Sequence, residues 1–156
     1  MEMPLVCTQS SKYTRKHRRF SRPCIKRPWL FQSQRPTPDP TRGGLATTLN
    51  EIAIQSGQGI LLDEKAIPLQ PAVQAACEML GFDPLYVANE GKVIVIVPAA
   101  EGEAALAAMR QHPYGANAAR IGVVQAEAPK RVLMRTLIGG TRILDVLAGE
   151  MLPRIC

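Results

Sequence analysis

The chain has 156 residues, 46% of them apolar, which is enough for one domain with a core of its own. No apolar run approaches the roughly 18 residues of a membrane span, and Leu5 to Cys7 is far too short for the core of a signal peptide, so a cytoplasmic protein without a membrane partner is expected. The net charge of +6 hides a division: residues 1–38 hold nine Lys or Arg against Glu2 alone, whereas residues 39–156 hold ten against twelve acids.

Residues 1–38 combine scattered prolines, no sustained apolar period and a block of like charge from Arg15 to Arg19, and are expected to be disordered when alone. Tyr13, Phe20 and Trp29 among the cations would suit a nucleic-acid-binding arm. A solvated tail or an accident of gene structure explains the same composition more simply, so nucleic acid is not the favoured partner.

From Asp39 the pattern becomes a structured one. DPTRGG supplies a loop leading into a helix, Leu45, Leu49, Ile52 and Ala53 recur at helical spacing, and Gly57 or Gly59 ends it. Ile60 to Leu62 is a short apolar strand. Pro71 suits a first helical position, Val73, Ala76, Cys77 and Leu80 form a stripe, and Gly81 is a C-terminal cap. Leu85 to Ala88 and Val93 to Val97 predict a hairpin turning through Asn89, Glu90, Gly91 and Lys92. A third helix spans roughly Ala100 to Gln111 and is stopped by Pro113 to Gly115. Ile121 to Gln125, Val132 to Leu137 and Ile143 to Leu147 read as strands, with turns at Pro129-Lys130 and Gly139-Gly140. The order indicates an α+β domain over residues 39–147, with helices on one face of a mixed or antiparallel sheet.

Cys7, Cys24, Cys77 and Cys156 show no CxxC or other metal spacing, so neither a metal site nor a disulfide framework is expected, and Cys77 is a buried core thiol. Three polar features remain. Thr41 to Gly44 could meet an anion through backbone donors at a helix start, or serve as an ordinary cap and turn. Glu90 and Lys92 sit in a turn, where solvated charge is the usual state. Residues 148–156 (AGEMLPRIC) form a tail that places a thiol at the last position. Pro153 fixes one φ and removes one donor. The α-carboxylate that Cys156 also carries disfavours ionisation of its thiol unless Arg154 offsets it. A thiol on a frayed terminus can be incidental, or it can be carried into another protein's site.

The run DPTRGGLATTLNEIA from Asp39, the ANEGK of Ala88 to Lys92, the HPYG of His112 to Gly115 and the ending LPRIC closely resemble the C-terminal half of the HypE family of [NiFe] hydrogenase maturation proteins. The resemblance covers Asp39 to Cys156. It extends to the wider superfamily of aminoimidazole ribonucleotide and selenophosphate synthetases, which implies a PurM C-terminal-like fold. Those wider relatives lack the cysteine tail.

The resemblance implies that Cys156 accepts a carbamoyl group from a HypF-type carbamoyltransferase. ATP, with Mg²⁺, then drives dehydration of the thiocarboxamide to a thiocyanate, and the cyanide passes to iron on a HypC–HypD complex. Pro153, Arg154 and Ile155 would be the recognition tail, Glu90 the base, and Arg42 and Lys92 phosphate contacts. The family's ATP-binding, dimer-forming domain has no counterpart in these residues, and 1–38 do not resemble it. The expectation is therefore a chain able to present Cys156 but unable alone to complete the dehydration. A thiol-bearing carrier or interaction module without catalysis is the alternative.

Overall fold

The computed structural model describes the main chain of residues 3–9 together with residues 43–88 and 92–146. Six strands form one sheet: β1 (Met3–Gln9), β2 (Gly59–Asp63), β3 (Lys92–Ile96), β4 (Ala119–Gln125), β5 (Val132–Arg135) and β6 (Thr141–Leu144). Three helices accompany them, α1 (Gly44–Ser56), α2 (Pro71–Leu80) and α3 (Gly102–Arg110). The spatial order is β3-β1-β4-β2-β5-β6. Every neighbouring pair is antiparallel except β2 with β5, so the sheet is mixed, as the α+β reading requires.

α1 forms because a stripe of Leu45, Ala46, Leu49 and Ala53 can be buried whole. These pack with Ile60 and Leu62 of β2, Val132 and Met134 of β5, and Leu144 of β6. Burying a single leucine of this kind stabilises the fold by about 1.5–3 kcal/mol. The alanines let the helix approach the sheet closely. Gly57 ends α1 in the left-handed conformation at φ 72°, with its N–H donating to the Ala53 carbonyl.

Alternate residues of β3 enter different clusters. Ile94 and Ile96 pack with the α1 core, whereas Val93, Val95 and Val97 pack with Ala105, Leu106 and Met109 of α3. Because side chains alternate across a strand, α3 lies against the sheet face opposite α1. His112 follows α3 and receives the Tyr114 N–H on its Nδ1 at 3.2 Å, closing the turn that the HPYG sequence makes.

Three readings change. Met3–Gln9, within the segment expected to be disordered, is an inner strand, because β3 and β4 offer it a ladder on each side. Leu85 to Ala88 is a turn and loop, not a strand. Asp83 accepts the Leu85 N–H on its side chain at 2.9 Å, and the Tyr86 N–H returns to the Asp83 carbonyl at 3.0 Å, which bends the chain before it can pair. In α2 only Cys77 is buried, and Leu80, expected in the buried stripe, is 63% exposed. Cys77 is the one free cysteine among the described residues that this placement buries, in accord with a core thiol.

The side chain of Asn50, itself buried, donates to the Leu144 carbonyl at 2.8 Å and to Ala46 at 2.9 Å, joining α1 to β6. Asn50→Ala leaves the Leu144 carbonyl without that donor and is expected to cost about 1–3 kcal/mol. Urea unfolding followed by far-UV circular dichroism would show this as a lower midpoint at unchanged slope.

Candidate functional site

Cys156, Pro153, Arg154 and Ile155 of the tail, Glu90 of the ANEGK stretch and Arg42 ahead of α1 lie outside the described residues. Lys92 is described. It opens β3, opposite Gln9 of β1, and so stands in a strand instead of the predicted turn. What the structure does place are the residues from which each of the three polar features departs.

Those residues meet. Gly43 and Gly44 both adopt left-handed φ, 73° and 66°, a conformation that glycine reaches without strain. At Gly44 a β-carbon would collide with the carbonyl oxygen of Leu85 and would crowd that of Val87. One residue pair beyond, the Ala46 N–H donates to the Leu85 carbonyl at 3.0 Å. The start of α1 is therefore seated on residues 85–87, immediately before the Asn89 to Gly91 stretch. The turn at Asp83 that removed a predicted strand serves this seat.

The same loop holds the end of β6. The Tyr86 hydroxyl donates to the Asp145 carbonyl at 2.9 Å, and Arg142 pairs with Asp83 at 2.6 Å. Burial pushes the Tyr86 phenol above its ordinary value and the Asp83 carboxylate adds to this, while Arg142 opposes it. With the bond from Asn50 to Leu144, these contacts fix the strand from which residues 148–156 continue. The lead into TRGG, the lead into ANEGK and the root of the cysteine tail thus share one corner of the domain. Sequence reasoning did not find Asp83, Tyr86, Arg142 or Asn50. The Asp83-Pro84 pair was a turn signal that could have found the first.

Among the described residues no group of three or more His, Cys, Asp or Glu is placed to hold a metal ion. No described helix is long and apolar enough to cross a membrane. One acid stands out on α1: Glu51, whose Oε2 is buried and has no hydrogen-bond partner among the described residues, and whose carboxyl burial pushes above the ordinary value.

Residues 38–134 match the family model for the C-terminal domain of AIR synthase related proteins. Carbamoyl dehydratase HypE of Cupriavidus necator is 64% identical over 118 residues, covering 76% of this chain and 34% of that protein. A crystal structure of hydrogenase maturation protein HypE in complex with ATP matches with a TM-score of 0.70 at 52% identity, over 76% of this chain and 36% of that one. The crystal structure of a HypE–HypF complex matches with a TM-score of 0.66 at 45% identity, over 70% of this chain and 35% of that one. The chain spans about a third of the length of the relatives it matches.

Glu51 gives a pH dependence with a definite sign. Below the ordinary carboxylate value of 4.5 it is protonated in folded and unfolded chains alike and carries no charge to bury. As pH rises through the raised folded value, the folded state bears the cost of a partly buried anion and loses stability. Glu51→Gln is therefore expected to raise the melting temperature at pH 7 and to leave it little changed below pH 4.5, read by thermal denaturation at the two pH values.

Proposed function

The chain belongs to the family of AIR synthase related protein C-terminal domains, and we propose from that membership that it acts in hydrogenase maturation as the thiol-presenting domain of a HypE-type carbamoyl dehydratase. The observation that carries this reading is the shared corner. The glycine pair after Arg42, the loop before Glu90 and the root of the tail ending in Cys156 are tied together through Leu85, Tyr86 and Asn50.

In the proposed reaction the Cys156 thiolate attacks the carbonyl carbon of an activated carbamoyl donor, derived from carbamoyl phosphate and held by a HypF-type carbamoyltransferase; a C–S bond forms, the bond from that carbon to the donor's leaving oxygen breaks, and a thiocarboxamide results. The amide oxygen is a poor leaving group. Phosphorylation of that oxygen by ATP, with release of ADP, converts it to one that departs as phosphate. Loss of the two nitrogen protons, one of them to Glu90, leaves the S-bound nitrile. Transfer of the cyano group to iron on a HypC–HypD complex then breaks the S–C bond, and two electrons from that complex together with one proton restore the thiol.

Arg42 and Lys92 are proposed to meet the phosphates, and Pro153, Arg154 and Ile155 to be read by the partner as an extended tail. Mg²⁺ and the bulk of the nucleotide contacts are assigned to the remaining two thirds that such proteins have beyond the portion matched here, as is any dimer interface. The reaction is placed in the cytoplasm. The crystal structures of HypE in complex with ATP and of a HypE–HypF complex support, by similarity, the nucleotide and the HypF-type partner.

The decisive measurement is the mass of the intact chain and of its C-terminal peptide after incubation with a HypF-type carbamoyltransferase, carbamoyl phosphate and ATP. A carbamoyl adduct on Cys156, absent from Cys156→Ser, is expected, and its absence from the parent chain would overturn the reading. In a full-length relative, replacing the residue matching Glu90 by Gln should leave the adduct intact and slow its dehydration by about 10²- to 10⁴-fold, the usual worth of a positioned base. Unchanged nitrile formation would remove Glu90 from the mechanism.

A further inference from the structure

The strand β1 lies outside the residues that match the family model, whereas its two neighbours β3 and β4 lie inside them. It nevertheless occupies an inner position, and β3 touches no other strand. Without β1 the sheet would present two edges facing each other across the width of one strand, roughly 9.5 Å from β3 to β4 at the usual strand spacing. Both edges would expose unpaired N–H and C=O groups, which is a template for an added strand.

Met3–Gln9 fits this gap imperfectly. Pro4, opposite Val123, has no N–H to give the ladder, and the register to β4 shifts between Leu5 and Val6. Thirty-three residues, 10–42, separate β1 from the next described residue. A connection of that length can span at most about 110 Å, and because loop-closure entropy grows only slowly with length, a competing strand must be at high concentration to overcome the advantage kept by the chain's own strand. Its effective concentration is on the order of millimolar. The main-chain pairs that hold the strand are the same whichever molecule supplies it.

We propose that the gap between β3 and β4 is a strand-acceptor site with a detachable occupant, so that Met3–Gln9 from a second copy of this chain is accepted in place of the chain's own. The proposal is independent of the carbamoyl chemistry.

The test uses the intact chain, a Cys7→Pro variant and a dye-labelled synthetic peptide of residues 1–10, under a thiol reductant. Cys7 is paired with Ile94 on one side and Ala119 on the other, so its N–H serves one of the two ladders and proline removes it. Fluorescence anisotropy should show saturable uptake of the peptide by the parent chain. Uptake by Cys7→Pro should be roughly two- to tenfold tighter, the worth of one ladder hydrogen bond removed from the competing strand. Hydrogen exchange at Val93 to Ile96 should quicken in the variant and slow again with peptide, while β5 and β6 are unaffected. Should the variant not fold alone, the peptide is expected to restore its sheet signal in circular dichroism. No uptake by either chain, equal uptake of a peptide with proline at the Cys7 position, unaltered exchange in β3, or an unfolded variant that the peptide does not restore would each overturn the proposal.

Discussion

The bond from Asn50 to the Leu144 carbonyl joins residues 94 positions apart and is the constraint around which the described domain closes. It is made inside a nearly water-free layer, between a helix whose stripe is fully buried and the last strand of the sheet. A polar side chain there is tolerated because both of its amide hydrogens are used, on Ala46 and on Leu144. An apolar residue would pack as well but would not specify which strand lies under the end of the helix. Through this one amide, the depth and rotation of α1 and the position of β6 are set together.

Much of the sheet could be read from local signals, because apolar runs bounded by glycine and proline need no distant partner to be recognised. Gly57 and Gly81 mark the ends of α1 and α2, and both are in the left-handed conformation that such caps take. The misreadings arise where distant residues decide. Leu85 to Ala88 has strand-like composition, yet the Leu85 carbonyl is committed to the start of α1, some forty residues earlier in the chain, and Gly44 lies close against the Val87 carbonyl. Met3–Gln9 has no local mark of a strand, since both of its partners come more than eighty residues later. The site shows the same division. The motifs that carry the resemblance were legible as strings, whereas the contact that brings Gly44 onto residues 85–87 is a tertiary fact with no trace in spacing.

The surface carries apolar side chains that the described domain leaves uncovered. Ile138 is 94% exposed at the tip between β5 and β6, Leu137 stands beside it, and Met79 and Leu80 lie open on α2. On the sheet, α3 covers the β3-β1-β4 half of its face, while Ile143 of β6 is half exposed in the other half. Relatives more than twice as long have more chain with which to cover such residues. The outer edge at β6 is blunted in another way, by a strand of only four residues carrying Arg142.

The order of strands has a consequence for synthesis. β2 lies between β4 and β5, so the earliest strand of the α1 core finds no neighbour until β4 is complete at residue 125, and lacks its second until residue 135 has been made. At about 5–20 residues per second, the stretch from the end of β2 to the end of β5 takes on the order of 4 to 14 s to synthesise. For most of that interval, until β4 has been made, Ile60 and Leu62 have no sheet to enter, and until its end the apolar stripe of α1 has only part of its cover. Folding of this domain therefore waits on strands that come late in its sequence, β4 first and then β5.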